Sequence, residues 1–141
     1  MKLHQLRLDQ ENYRLGPQAT QREAIRAMID EQGAKLVRIA KDILQMEGIS
    51  PGEPIWVVPA GVRGQYIVEE GNRRITSLKI LETPALADGT VVSKQFRRLS
   101  KIFAENPIRE VDARLFDSRE DVTPWKRRRH MTATSGVGLA P

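Results

Sequence analysis

Five consecutive residues, Glu70-Gly71-Asn72-Arg73-Arg74, carry the clearest chemical signal in this 141-residue chain. They follow the strand-like run Gln65-Tyr66-Ile67-Val68-Glu69 and precede Ile75, Leu78 and Leu81, which recur at helical spacing. The five residues therefore form a strand-to-helix turn. A helix start carries the positive end of the backbone dipole and prefers acids. Each of the two arginines there costs about 0.3 kcal/mol or more unless an anion is present. Free N–H groups, a glycine that permits close approach and two guanidinium forks together suit a phosphate. Asn72 either caps the helix or donates to the ligand. In the competing reading, Glu69 and Glu70 pair with the arginines and the turn merely joins two elements.

Two other features bear on this turn. Glu70 is its nearest acid, and three roles are open to it: a general base, an indirect holder of Mg2+ through water, or a group that orients Arg73 or Arg74. The run Lys126-Arg127-Arg128-Arg129-His130 contains no acid. Successive helical residues point about 100° apart, so at most two of the last four can share one face. A basic helix end in solvent, favoured by the dipole, explains the run equally well.

The elements that position these residues follow from local signals. Leu6-Arg7-Leu8 reads as a short strand, Asp9 to Asn12 as a turn, and Tyr13-Arg14-Leu15 as extended. Thr20 and Glu23 have the spacing of a capping box, so a helix starts there. Ile25, Met28 and Ile29 form its apolar stripe, and Gly33 is expected to end it. A second helix, from about Lys35 to Glu47, turns Leu36, Ile39, Ala40 and Ile43 inward, with Gly48 as its stop. Ile55-Trp56-Val57-Val58 reads as a strand joined through residues 60–64 to the strand before the turn, and the pair is expected to be antiparallel. Trp56 and Tyr66 are placed in the core rather than against a base. The helix after Gly71 stops before Pro84. Another, roughly Val92 to Ala104, buries Phe96, Leu99, Ile102 and Phe103. Val111, Ala113 and Leu115 alternate with charged residues as in a half-exposed strand. Ser118 caps a last helix that accommodates Pro124 and reaches towards His130. The implied fold class is α+β, a small mixed sheet flanked by helices. One domain spans residues 1–131. Residues 132–141 read as a loop or frayed tail, with the beginning of a further region as the alternative.

The order of these segments resembles the N-terminal domain of the ParB family, within the ParB/sulfiredoxin fold, over residues 6 to 82. Three stretches carry the resemblance. Asp9 to Leu15 is similar to the family's opening segment. Leu36 to Ile43, with Gly48-Ile49-Ser50-Pro51 and Pro54 to Val58, resembles its helix, glycine, proline and strand passage. Gln65 to Lys79 resembles its tyrosine, strand, Gly-x-Arg-Arg and helix signature. The branch it matches carries Glu-Gly-Asn-Arg-Arg rather than the partition-protein pattern, and no helix-turn-helix segment follows. The resemblance implies that Gly71, Asn72, Arg73 and Arg74 contact the phosphates of a nucleotide, CTP or another NTP, with Mg2+ accompanying it. It also brings Asn12 and Arg14 of the opening segment towards the nucleotide, and assigns Arg129 and His130 to the same cradle. The implied setting is DNA-associated, with hydrolysis left open and a homodimer among the expected states. Two alternatives stand beside it: a DNA-binding or nuclease module using the same basic surface, and a phosphoryl transferase with Glu70 as its base.

Composition narrows these classes. There are no cysteines, which removes disulfides, thiolate chemistry and sulfiredoxin chemistry together. His4 and His130 are too far apart in sequence to suggest a histidine metal site. The formal charge of +5 favours anionic partners only weakly, and aromatics at 5% give little for a base-stacking platform. No segment approaches the roughly 18 apolar residues of a membrane span, and the start turns polar at once. The expected location is the cytoplasm, with no membrane partner.

Overall fold

The structure, a computed structural model, describes residues 1–9 and 20–135. Asn12, Arg14 and the extended segment expected around them lie outside the described residues, as does the tail from 136 onward.

The sheet is built from β1 (Leu6–Leu8), β2 (Trp56–Pro59), β3 (Tyr66–Glu70) and β4 (Arg114–Leu115), in the order β1-β3-β2-β4. β2 and β3 form the expected antiparallel hairpin, with an irregularity between Trp56 and Val57. β1 lies parallel to β3, and β4 parallel to β2. The parallel pairing of β1 with β3 needs a crossover, which α1 (Gln21–Met46) supplies.

α1 begins as its sequence dictates, with the Thr20 side chain accepting a hydrogen bond from the Glu23 amide at 3.1 Å. The break expected at Gly33 is a kink instead. Gln32 leaves helical geometry (φ −138°, ψ 25°) and the helix then resumes. Packing explains why a glycine follows. A Cβ on Gly33 would stand 3.2 Å from Cγ1 of Val92, so its absence lets the start of α3 (Ser93–Phe103) close onto the bend. The C-terminal stop also falls one residue earlier than expected. Glu47, not Gly48, takes the left-handed conformation (φ 56°).

α2 (Asn72–Glu82) packs between the sheet and α1, burying Ile75, Leu78, Ile80 and Leu81 completely. These side chains join Leu6, Leu8, Met28, Leu36, Val57 and Phe96 in one continuous core. Trp56 and Tyr66 are half-buried at its margin rather than inside it, and Trp56 meets Phe116 edge-on. α3 buries Phe96, Leu99 and Phe103, but Ile102 is 52% exposed, contrary to expectation. Its position is a quarter-turn off the stripe set by the other three.

The strand expected over 111–115 is divided in two. Residues 109–111 join the N-terminus: the Leu3 amide donates to the Arg109 carbonyl at 2.8 Å and the Val111 amide to Met1 at 2.9 Å. Only Arg114 and Leu115 pair with β2, through Arg114 N to Ile55 O and Phe116 N to Val57 O, each 2.8 Å. α4 (Arg119–Ser135) follows, with Pro124 inside it, and so extends past residue 131, where a loop was expected. No helix among the described residues is long and apolar enough to cross a membrane.

Candidate functional site

The turn at 70–74 opens on a cleft of about 860 Å³ whose walls are α1 beyond its kink, the start of α2, and α4. Gly71 sets the turn. It is left-handed (φ 96°), and a Cβ there would stand 2.4 Å from Ile55 Cδ1 and 3.2 Å from the Pro54 carbonyl oxygen. The glycine is therefore required by the protein's own backbone and packing, independent of any ligand. No side chain caps the helix that follows, which leaves its first N–H groups facing the cleft region without a side-chain acceptor.

Asn72 is spent within the protein. Its Oδ1 accepts from the Asp9 amide at 3.3 Å and its Nδ2 donates to the Val68 carbonyl at 2.9 Å. With 9% exposure, it latches the end of β1 to β3 and α2, which corrects the expectation that it caps the helix or donates outward. Arg74 is likewise drawn in. It donates to the Pro54 carbonyl at 2.7 Å and pairs closely with Glu53, with its side chain only 11% exposed. Burial lowers its pKa from the ordinary arginine value, while Glu53 opposes that shift. Arg73 differs. It is exposed, and its guanidinium makes one long polar contact, 3.4 Å, to Gln32 at the kink.

Glu70 does not pair with Arg73 or Arg74. Its Oε1 lies 3.7 Å from Nε of Arg129, and its Oε2 lies 3.3 Å from Nε2 of His130. Arg129 and His130 are thus brought to the turn, while Arg127 and Arg128 stay exposed outside the cleft lining. Lys126, one turn before His130, reaches Glu69 at 3.6 Å. The shared face is the helical one: positions 126, 129 and 130 stand three and four residues apart. With each oxygen of Glu70 facing a cationic or protonatable group, its role in this geometry is to clamp α4 against the turn.

Behind the clamp lies a buried ionic cluster that the sequence did not reveal. Glu69 is 2% exposed and Asp9 4%. Arg119 reaches both, with Nε 3.1 Å from Glu69 and Nη2 3.3 Å from Asp9. Burial first, and the Asp9 charge second, push the Glu69 carboxyl above its ordinary value, against the pull of Arg119 and Lys126. Among the described residues, Glu69 Oε1 has no hydrogen-bond donor.

The far wall supplies two cations missed in the sequence, Lys35 and Arg38, both exposed on the second half of α1. Neither makes an ion pair among the described residues, and neither does Arg73. Ile39, Ile43 and Ile49 give the same cleft an apolar side. The signal in the sequence is their spacing: Lys35 and Arg38 stand three residues apart and so share one face of α1. Asn12 and Arg14 lie outside the described residues. No group of three or more His, Asp or Glu side chains suited to a metal occurs among the described residues. Comparisons with family models, with curated proteins and with solved structures returned no match.

Proposed function

We propose that the cleft binds a nucleotide polyphosphate, with Arg73, Lys35 and Arg38 as its principal phosphate contacts and the uncapped start of α2 as a further donor. The observation that carries this reading is a row of three cations with no acidic partner among the described residues, on a cleft whose other cations are each matched to an acid. Arg74 has Glu53, Lys126 has Glu69, and Arg129 with His130 has Glu70. Lys35, Arg38 and Arg73 are exposed cations with no such match, and they line one cleft. Three guanidinium or ammonium groups beside free helix N–H groups favour a multiply charged, oxygen-rich anion.

Size and chemistry favour a nucleotide over inorganic phosphate. The volume falls within the range of small-molecule sites, roughly 300–1,000 Å³. Ile39, Ile43 and Ile49 offer an apolar side for a sugar and base. The order strand, helix, hairpin, glycine turn, helix agrees with the resemblance to ParB-like domains, in which the same turn contacts the phosphates. Mg2+ would arrive with the polyphosphate, since this ion keeps most of its water and needs few protein oxygens. Asp42 is the cleft-lining acid without a cation partner among the described residues, so it is the carboxylate available to meet the ion's water shell.

Calorimetry with the four NTPs, with and without Mg2+, tests this reading. Arg73→Ala is expected to weaken binding at least tenfold with the fold intact, because Arg73 makes only one long contact within the protein. The double substitution Lys35→Ala/Arg38→Ala should do the same. Absence of NTP binding by the folded wild-type chain would overturn the proposal.

A further inference from the structure

A second cationic surface lies away from the cleft, on α3. This eleven-residue helix carries Lys94, Arg97, Arg98 and Lys101 and no acid. Its other face, Phe96, Leu99 and Phe103, is committed to the core, so all four cations project outward and are exposed. None of them lines the cleft. The spacing makes the arrangement self-repelling: Lys94 neighbours Arg97 and Arg98 at three and four residues, and Lys101 neighbours both arginines in the same way. One charge is compensated, Arg97 by a two-pronged bond to Asp88 at 2.6 and 2.8 Å. Lys94, Arg98 and Lys101 make no ion pair among the described residues.

The start of α3 adds to this surface. No side chain caps it, and Lys94 stands in its first turn, where a cation opposes the helix dipole. The segment leading in also exposes Val91 to 95%. Arg26 of α1 extends the basic area on the Asp88 side, where it donates to the Asp88 carbonyl. An anionic surface laid along the helix removes the repulsion and supplies acceptors for the uncapped amides.

We propose that this face of α3 binds the phosphate backbone of duplex DNA without reading its sequence. The helix is about 16 Å long at 1.5 Å per residue, and duplex DNA presents roughly one charge every 1.7 Å of its axis. Lys94, Arg98 and Lys101 thus span several phosphates at once. The outward face carries no aromatic side chain, which argues against single strands, whose binding draws on stacking. Its apolar face is already buried in the core, which argues against insertion into a lipid surface. The surface is separate from the nucleotide cleft and does not depend on what the cleft binds.

The test uses the full chain and a fluorescent DNA duplex of random sequence, titrated by anisotropy from 25 to about 200 mM salt. Wild type is expected to bind with a log–log salt slope near −3, as about three phosphate contacts require. The triple substitution K94Q/R98Q/K101Q should reduce the slope by about 3 and abolish most low-salt affinity. Circular dichroism and an unchanged thermal midpoint would show that its fold is intact. Arg73→Ala should leave DNA binding unchanged. Equal DNA binding by wild type and the triple variant would overturn the proposal. So would no DNA binding by wild type at 25 mM salt, or binding to vesicles rich in anionic lipid without binding to DNA.

Discussion

At the residue scale, the molecule separates what is needed for folding from what is available for binding. Gly71 belongs to folding: Gly71→Ala meets both a left-handed backbone and the Ile55 side chain, and should lower stability by about 2 kcal/mol or more, read as a drop in denaturation midpoint. Asn72→Ala strips the partners from the Asp9 amide and the Val68 carbonyl and should cost about 1–3 kcal/mol by the same measurement. Glu69 gives a pH signature. Its folded pKa is raised, so between the ordinary value near 4.5 and that higher folded value the native state holds the proton more tightly than the unfolded chain. Stability then falls as pH rises through this window. In Glu69→Gln the penalty is absent, so its melting temperature relative to wild type should be higher at pH 7 than at pH 5. An identical difference at both pH values would contradict the assignment. The adjacent arginines were visible in the sequence because they oppose the helix dipole, and the glycine because it marks a tight turn. The fate of Asn72 was not, since its partners Asp9 and Val68 are set by the approach of β1, a tertiary fact.

At the element scale, strong local signals gave correct elements and weak ones gave partial ones. The Thr20 cap, the hairpin and the α2 stripe each have a mechanism confined to a few residues. The bend in α1 was readable as a break at Gly33 but not as a continuing helix, because the packing of Val92 against the glycine is a tertiary contact that no local signal encodes. β4 was over-extended because alternation at 111–115 reflects two different partners, the N-terminal segment and β2. The pairing of Glu70 with Arg129 and His130 rests on the approach of α4 to the end of β3, which no spacing within the turn encodes. That pairing predicts a dynamic effect. Glu70→Gln should release the clamp, seen as faster amide exchange in α4 after Pro124 with little change in α2.

At the scale of the whole molecule, a modest net charge conceals two local excesses, one in the cleft and one on α3. Sequence totals could not show this, because the balancing acids Glu53, Glu69, Glu70 and Asp88 are consumed in specific pairs. The architecture also has a kinetic consequence. The bonds from Met1 and Leu3 to residues 109–111 close most of the chain into a ring, and the β1–β3 pairing closes a second, smaller one. Closing long loops is entropically slow and precedes the reward of the contacts made. α4 lies outside both rings and is held chiefly by ion pairs and Val122, so it is expected to join last. Refolding followed from the denatured chain should therefore recover sheet signal before it recovers NTP binding, and moderate salt should lengthen the interval between them.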